Sequence, residues 1–252
     1  MDRVEQVAVV VPVHNEEQYL PRALTGIRTA VNALQANRLH VTATIVVVLD
    51  SCTDGSRGIA ARFTAVDTRF RALEVDFRSV GKSRRAGVEA FLASYPRAAT
   101  PPPGTPRSSR LWLANTDADS CVPVNWLIRQ VELADAGADA VLGSVEPDPE
   151  GTDPEILKRW HARHPFQEHH PHVYGANFGV RGSAYELSGG FPRQRSHEDR
   201  ALVEQVRRHG LMVRATDSIR VLISGRIHAR APHGFAAYLF ALGLEPALAV
   251  EG

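Results

Sequence analysis

The amino-acid sequence predicts an α/β protein built on a mostly parallel sheet, and three observations carry that expectation. Val7 to Val13 is an unbroken apolar run rich in β-branched residues, the pattern of a strand buried on both faces. Strand-like and helix-like segments then alternate as far as Val145, as successive βαβ units require. The first, second and fourth of these strands each end in a polar, acidic turn, and in a parallel sheet such turns open onto one edge.

Each element follows in order. After the first strand, Tyr19, Leu20, Ala23, Leu24, Ile27, Ala30, Val31 and Leu34 recur at helical spacing, with Asn15 and Gln18 resembling a capping box. Val41 to Leu49 reads as the second strand, Asp54 to about Ala65 as a helix, and Ala72 to Phe77 as the third strand. Lys82 to Tyr95 is helical again. Ala99 to Arg110 holds four prolines and a glycine, which suits a surface loop and no regular element. Leu111 to Ala114 gives a fourth strand, Val124 to Ala136 a helix, and Asp139 to Val145 a fifth strand. Pro147 to His172 has five prolines and few periodic apolar positions, so an irregular excursion is expected there. Asn177 to Val180 reads as a strand and Glu198 to His209 as a helix. Leu211 to Ala215 and Ile219 to Ile223 read as strands, and Gly234 to Leu242 as a terminal helix. No internal repeat is visible. The 252 residues suit a single domain, with a nucleotide-binding half over about residues 1–120 and an acceptor-side half over about 121–252.

Composition excludes several classes. With 44% hydrophobic and 23% charged residues the chain has material for a sizeable core and is unlike a disordered one. Its 29 basic and 28 acidic side chains leave a formal charge of +1, so no global field attracts nucleic acid or anionic lipid. Cys52 and Cys121 form neither a metal-binding pair nor a disulfide framework. The longest apolar runs fall far short of the roughly 20 residues that cross a bilayer, and no charged leader precedes an apolar stretch. A cytoplasmic protein without transmembrane segments is expected, its oligomeric state unread.

The acidic turns are the first candidates for chemistry: His14-Asn15-Glu16, Asp50 to Ser56, and Asp117-Ala118-Asp119. A carboxylate at such a rim accepts hydrogen bonds from a base or ribose. A second holds a hard cation through oxygen, and Mg²⁺ or Mn²⁺ bridging two phosphates needs one or two such ligands. Asn15, Asp50 and Asp54 each also suit helix capping, because Asn and Asp are favoured there. Three turns together favour a site.

In this order and spacing the chain resembles a family 2 glycosyltransferase with the GT-A fold, a Rossmann-like arrangement of nucleotide-diphospho-sugar transferases. The resemblance rests on Val11-Pro12-Val13-His14-Asn15-Glu16, Asp50 to Ser56, Gly81 to Gly87, Asp117-Ala118-Asp119, and Gly189-Gly190-Phe191-Pro192 leading to Glu198-Asp199. It implies that Pro12, His14, Asn15 and Glu16 line a nucleoside pocket and that Asp50 meets the base. Lys82 and Arg85 would lie beside them. Asp117 would approach the ribose with Ala118 next to it, and Asp119 would bind Mg²⁺ or Mn²⁺ under the diphosphate. His228 would add a late metal ligand. In the pair Glu198-Asp199, Asp199 matches the general base of inverting members; the dipole of a helix start also favours acids there. The implied partners are a nucleoside diphosphate sugar, UDP- or GDP-linked, and a small, lipid or glycan hydroxyl acceptor that receives one sugar per encounter. The family usually has a glycine where this chain has Ser51.

His161, His164, His169, His170 and His172 lack the spacing of a zinc site and read as a solvated acceptor-side loop. Trp160, Phe166 and Tyr174 suit either a core or stacking on an acceptor. Two other readings compete. A nucleotidyltransferase usually carries a glycine-rich basic loop after the first strand, where this chain has the acidic His14-Asn15-Glu16-Glu17. An inactive nucleotide or glycan binding module would not need both Asp119 and Asp199.

Overall fold

A computed structural model of the chain describes residues 2–94, 106–192, 197–227 and 234–245. Its elements run β1 (Gln6–Val13), α1 (Leu20–Asn37), β2 (Thr42–Asp50), α2 (Ser56–Val66), β3 (Phe70–Val75), α3 (Val80–Ser94), β4 (Leu111–Asn115), β5 (Ser120–Cys121), α4 (Trp126–Asp135), β6 (Ala140–Pro147), α5 (Pro154–Arg163), β7 (Phe178–Arg181), α6 (Gly182–Leu187), α7 (Glu198–Arg208), β8 (Val213–Ile223) and α8 (Phe235–Gly243).

The strands form one eight-stranded sheet in the order β3-β2-β1-β4-β7-β6-β8-β5. β3, β2, β1 and β4 are mutually parallel; β7 is antiparallel to both β4 and β6, and β8 is parallel to β6. Side chains alternate across β1 as a strand's period of two requires. Val7, Val9, Val11 and Val13 enter one core cluster with buried residues of α1, α2, α4, α5 and α8. Ala8 and Val10 enter a second, with residues of α3, α6 and α7. Both faces are therefore covered, which explains the unbroken apolar run. β1 lies between β2 and β4, whose crossovers lead in opposite directions, so a crevice opens beyond the carboxyl ends of these strands.

Several sequence-based expectations need correction. Asn15 caps no helix: it lies in the left-handed region at φ 53°, α1 starts at Leu20, and the residue before it makes no side-chain capping bond. The stretch from Pro147 contains α5, where Asp153 accepts hydrogen bonds from the Glu155 and Ile156 amides, with Pro154 in the first turn. Prolines at the flanks of this segment obscured a helix whose own start signal is ordinary. The two strands expected between Leu211 and Ile223 form one long strand, β8 (Val213–Ile223), because a register shift at Gly143/Val145 of its partner absorbs the polar Thr216-Asp217-Ser218 interruption. β5 and α6 were not expected at all. Arg107–Arg110, the end of the expected proline-rich loop, forms a 3-10 turn, and most of the rest of that loop lies outside the described residues.

Candidate functional site

A cleft of about 430 Å³ opens at the carboxyl edge of the sheet, within the range of small-molecule sites. Its floor comes from the turns after β1, β2 and β4. Pro12, His14, Glu16, Asp50, Asp117, Ala118 and Asp119 all line it, so the structure brings these expected site residues together. Ile223 at the end of β8, Ser224 and Arg226 after it, and Gly234, Phe235 and Ala236 at the start of α8 also line it. The start of a helix is a place that favours an anion, because its first amides have no partner within the helix.

Asp50 is almost fully occupied by the protein. Its carboxylate accepts hydrogen bonds from the Phe77, Arg78 and Ser79 amides at 2.7, 2.8 and 3.0 Å and from Ser83 Oγ at 2.8 Å. It thereby caps the entry to α3 while forming part of the cleft wall. Burial pushes its carboxyl up, but these donors outweigh burial and hold it below the ordinary carboxylate range. Ser51 beside it sits at φ 53°, where glycine is the residue without steric cost. Its Oγ, with a single proton to give, lies 3.0 Å from Asp50 Oδ1 and 2.5 Å from Asp76 Oδ1. Asn15 does not line the cleft; its Oδ1 accepts from the Thr53 amide at 2.7 Å and ties the first acidic turn to the second.

The basic contribution of α3 differs from the expected one. Gly81, Ser83, Arg84, Gly87 and Val88 form its buried face, and Gly87 lies so close to the sheet that a Cβ there would stand 2.6 Å from Val10. At 3.6 residues per turn this register aims Arg84 inward and Lys82 outward. Lys82 is exposed, and Arg85 turns to Glu89 and to the carbonyl of Phe191 at 3.1 Å, bracing the glycine turn before α7. Neither lines the cleft. Arg84, which the sequence reading passed over, is 3% exposed and donates to Asp117 at 2.5 Å and Glu198 at 2.6 Å. Burial acts to lower its pKa, yet Asp117, Glu198 and Asp199 raise it above the ordinary value, so it stays charged. Gly175 leaves room for it: a Cβ there would be 2.3 Å from Arg84 Nη1.

Glu198 is thus a buried counter-ion, while Asp199, half-buried in the first turn of α7, has its charge near Arg84 and accepts its neighbour's amide, Arg200 N, at 2.8 Å. Neither acid is among the cleft-lining residues.

Asp119 sits on the floor. Ser224 Oγ donates to its Oδ2 at 3.2 Å, and Arg226 Nη2 lies 2.8 Å from the same oxygen. Burial first, then the charges of Asp117 and Glu16 against that of Arg226, push its carboxyl up to about 6. Around Asp119 the neighbouring acids and burial together outweigh the guanidinium of Arg226. Among the described residues no three His, Cys, Asp or Glu side chains converge as a complete metal cage. Mg²⁺ and Mn²⁺ do not need one, since one or two carboxylates suffice when phosphates and water complete the octahedron. The oxygen donors of Asp117 and Asp119 fit such an ion. His228 lies outside the described residues.

A family model described as "Glycosyl transferase family 2" matches residues 8–197, a span holding all the acidic turns and Arg84. The chain belongs to this family. As a glycosyltransferase-family domain it shows the GT-A fold in its structural relatives. The mannosyltransferase PcManGT from Pyrobaculum calidifontis, in complex with GDP-Man and Mn²⁺, superposes with a TM-score of 0.62 over 94% of this chain and 60% of that one, at 19% identity. S. aureus TarS in complex with UDP gives 0.56 over 87% of this chain and 61% of that one, at 13% identity. A glycosyltransferase GlyA of Streptococcus pneumoniae serotype 4 (strain ATCC BAA-334 / TIGR4) is 30% identical over 91 residues, 36% of this chain and 12% of that protein. The chain therefore spans less than two thirds of each of these relatives. No described helix of the domain is long and apolar enough to cross a membrane.

The histidines divide in a way the sequence reading missed. His161 and His169 are exposed, but His170 is buried, and His164 and His172 are partly so. His164 stacks on Trp160 with ring centres 3.7 Å apart and meets His172 at 5.1 Å. Trp160 is core, and Phe166 carries Arg220 over its face at 3.3 Å. The loop is thus not simply solvated.

Proposed function

We propose that this domain transfers a sugar from a nucleoside diphosphate sugar, UDP- or GDP-linked, to an acceptor hydroxyl with inversion and with the help of Mg²⁺ or Mn²⁺. The observation that carries the reading is the joining of Glu16, Asp50, Asp117 and Asp119 in one cleft with the first turn of α8. Two structural relatives, TarS in complex with UDP and PcManGT in complex with GDP-Man and Mn²⁺, support the donor class and the ion.

In this reading the nucleoside lies over Pro12 and His14, its polar edges meeting what Asp50 and Asp117 leave free. The diphosphate points toward Asp119 and the free amides at Gly234 to Ala236. A divalent ion held by Asp119, with Asp117 beside it, would offset charge on the departing diphosphate. Arg84 fixes Asp117 and Glu198 relative to each other. With Glu198 committed to Arg84, Asp199 is the acid of the pair left to take a proton.

The acceptor oxygen attacks the anomeric carbon as its proton passes to Asp199. The bond from that carbon to the diphosphate oxygen breaks, and the diphosphate leaves with the electron pair. Phe235, which lines the cleft and packs on Trp160 with ring centres 5.1 Å apart, links the acceptor-side aromatic cluster to the reacting end.

The test is product formation from UDP- and GDP-sugars by wild type and Asp199→Asn. The reading expects transfer to be lost in the variant with nucleotide affinity retained. Unchanged turnover would remove Asp199 as base. Release of pyrophosphate from a nucleoside triphosphate and a sugar phosphate would instead assign nucleotidyl transfer.

A further inference from the structure

Arg226 is in the segment after β8, far in sequence from both of the acids it meets. Its Nη1 and Nη2 donate to the two carboxylate oxygens of Glu16 at 2.7 and 2.8 Å, a fork on a fork. The same Nη2 stands 2.8 Å from Asp119 Oδ2. Glu16 belongs to the turn after β1 and Asp119 to the turn after β4, so a single guanidinium bridges the crevice at the point where the strand order reverses. The arrangement is not a solvated ion pair: the side chains of Arg226, Glu16 and Asp119 are 21%, 9% and 11% exposed. Breaking such a contact without replacement takes a counter-charge away from little-exposed acids, which is unfavourable.

We propose that Arg226 is a built-in counter-cation that competes with the divalent ion for Asp119 and is released when a diphosphate arrives to receive it. The inference rests on the reading of Asp119 as a metal ligand given above. A divalent ion approaching Asp119 alone must displace Nη2 or accept a cation at close range, and both costs weaken its binding. A diphosphate in the cleft supplies oxygens that pair with a guanidinium as readily as carboxylate does. Nucleotide therefore removes the competitor from Asp119, and metal and nucleotide bind with positive coupling, each improving the affinity of the other by the same factor. Before the donor arrives Arg226 offsets part of the charge of Glu16 and Asp119, through a contact that the donor itself replaces.

The experiment is Mn²⁺ binding to the full chain, followed by the loss of free-ion electron paramagnetic resonance signal and by thermal shift. Wild type, Arg226→Met, Arg226→Lys and Asp119→Asn are compared with and without UDP. Without UDP, Arg226→Met is expected to bind Mn²⁺ about tenfold more tightly than wild type, because one charge-assisted contact no longer has to be broken. Its melting temperature, lowered by loss of the guanidinium beside Asp119, is expected to rise more on adding Mn²⁺ than that of wild type. UDP is expected to improve Mn²⁺ affinity more in wild type than in Arg226→Met. Should Arg226→Met not fold, Arg226→Lys, which keeps the charge and loses the fork, is expected to shift in the same direction by less. Mn²⁺ affinity without UDP that is unchanged or weaker in the Arg226 variants overturns the inference. If Mn²⁺ binding then still requires Asp119 and UDP, only the competition is lost. Absence of Mn²⁺ binding in every protein even with UDP removes the metal reading of Asp119 as well.

Discussion

Arg84 and Glu198, 114 positions apart in the chain, meet at 2.6 Å with almost no access to water. The contact pins the start of α7, which carries Asp199, to α3, which borders the cleft. Replacing Arg84 with Met leaves Glu198 buried without its partner, so a loss of about 3 kcal/mol or more of stability is expected, in the range for broken buried pairs. Urea unfolding checks the stability loss, and any fall in nucleotide affinity measured in parallel reports displacement of Asp117. Unchanged stability would mean that the pair is not formed.

Gly175 tests the same contact from outside. A Cβ at this position would stand 2.3 Å from Arg84 Nη1 and 2.6 Å from Nη2. Gly175→Ala is expected to push the guanidinium off its partners and to cost about 1–3 kcal/mol, as overpacking does. A wild-type melting temperature for Gly175→Ala would show that the space is larger than described.

Asp50 predicts an acid limb. Its folded-state pKa lies below the unfolded value of 3.8, so its contribution to stability is complete above that value and is lost as pH falls through the folded pKa. Stability measured by denaturant between pH 6 and pH 3 is expected to drop at the acid end in wild type and to drop less steeply in Asp50→Asn. That variant should be weaker at neutral pH by about 1.5–3 kcal/mol, the worth of hydrogen bonds to a charged group. Parallel acid limbs in the two proteins would contradict the capping role.

The imidazoles predict a second, milder dependence. Burial holds His164, His170 and His172 below the ordinary value of 6.5. The unfolded chain therefore takes up protons first, and stability falls as pH drops through 6.5 toward the folded values. His170→Phe keeps a ring in the stack and removes one titrating group, so the slope of melting temperature against pH below 6.5 is expected to lessen. The same slope in both proteins would place the titration elsewhere.

Much of this architecture was legible before any coordinates. The β-branched run of β1 and the acidic ends of β1, β2 and β4 are local signals, and they located the rim and most of its carboxylates. Signals that depend on orientation or distance were not legible. Lys82, Arg84 and Arg85 lie within four residues of one another, and the packing of Gly87 on Val10 decides which one faces inward. Arg226 and Glu16 are 210 positions apart, and no local pattern announces their pairing. The antiparallel insertion of β7 between β4 and β6 likewise depends on where the chain returns after α5. Histidine and proline content around α5 suggested irregularity, whereas Asp153 and Pro154 were the better guide to its start.

The most direct test of the account is calorimetric titration of UDP and GDP into wild type and Asp119→Ala, each with and without Mn²⁺. Saturable nucleotide binding that Mn²⁺ strengthens in wild type, and that falls by about tenfold or more, roughly 1.4 kcal/mol, in Asp119→Ala, is the predicted result. Equal affinities in the two proteins with Mn²⁺ present, or no nucleotide binding to wild type at all, would contradict it.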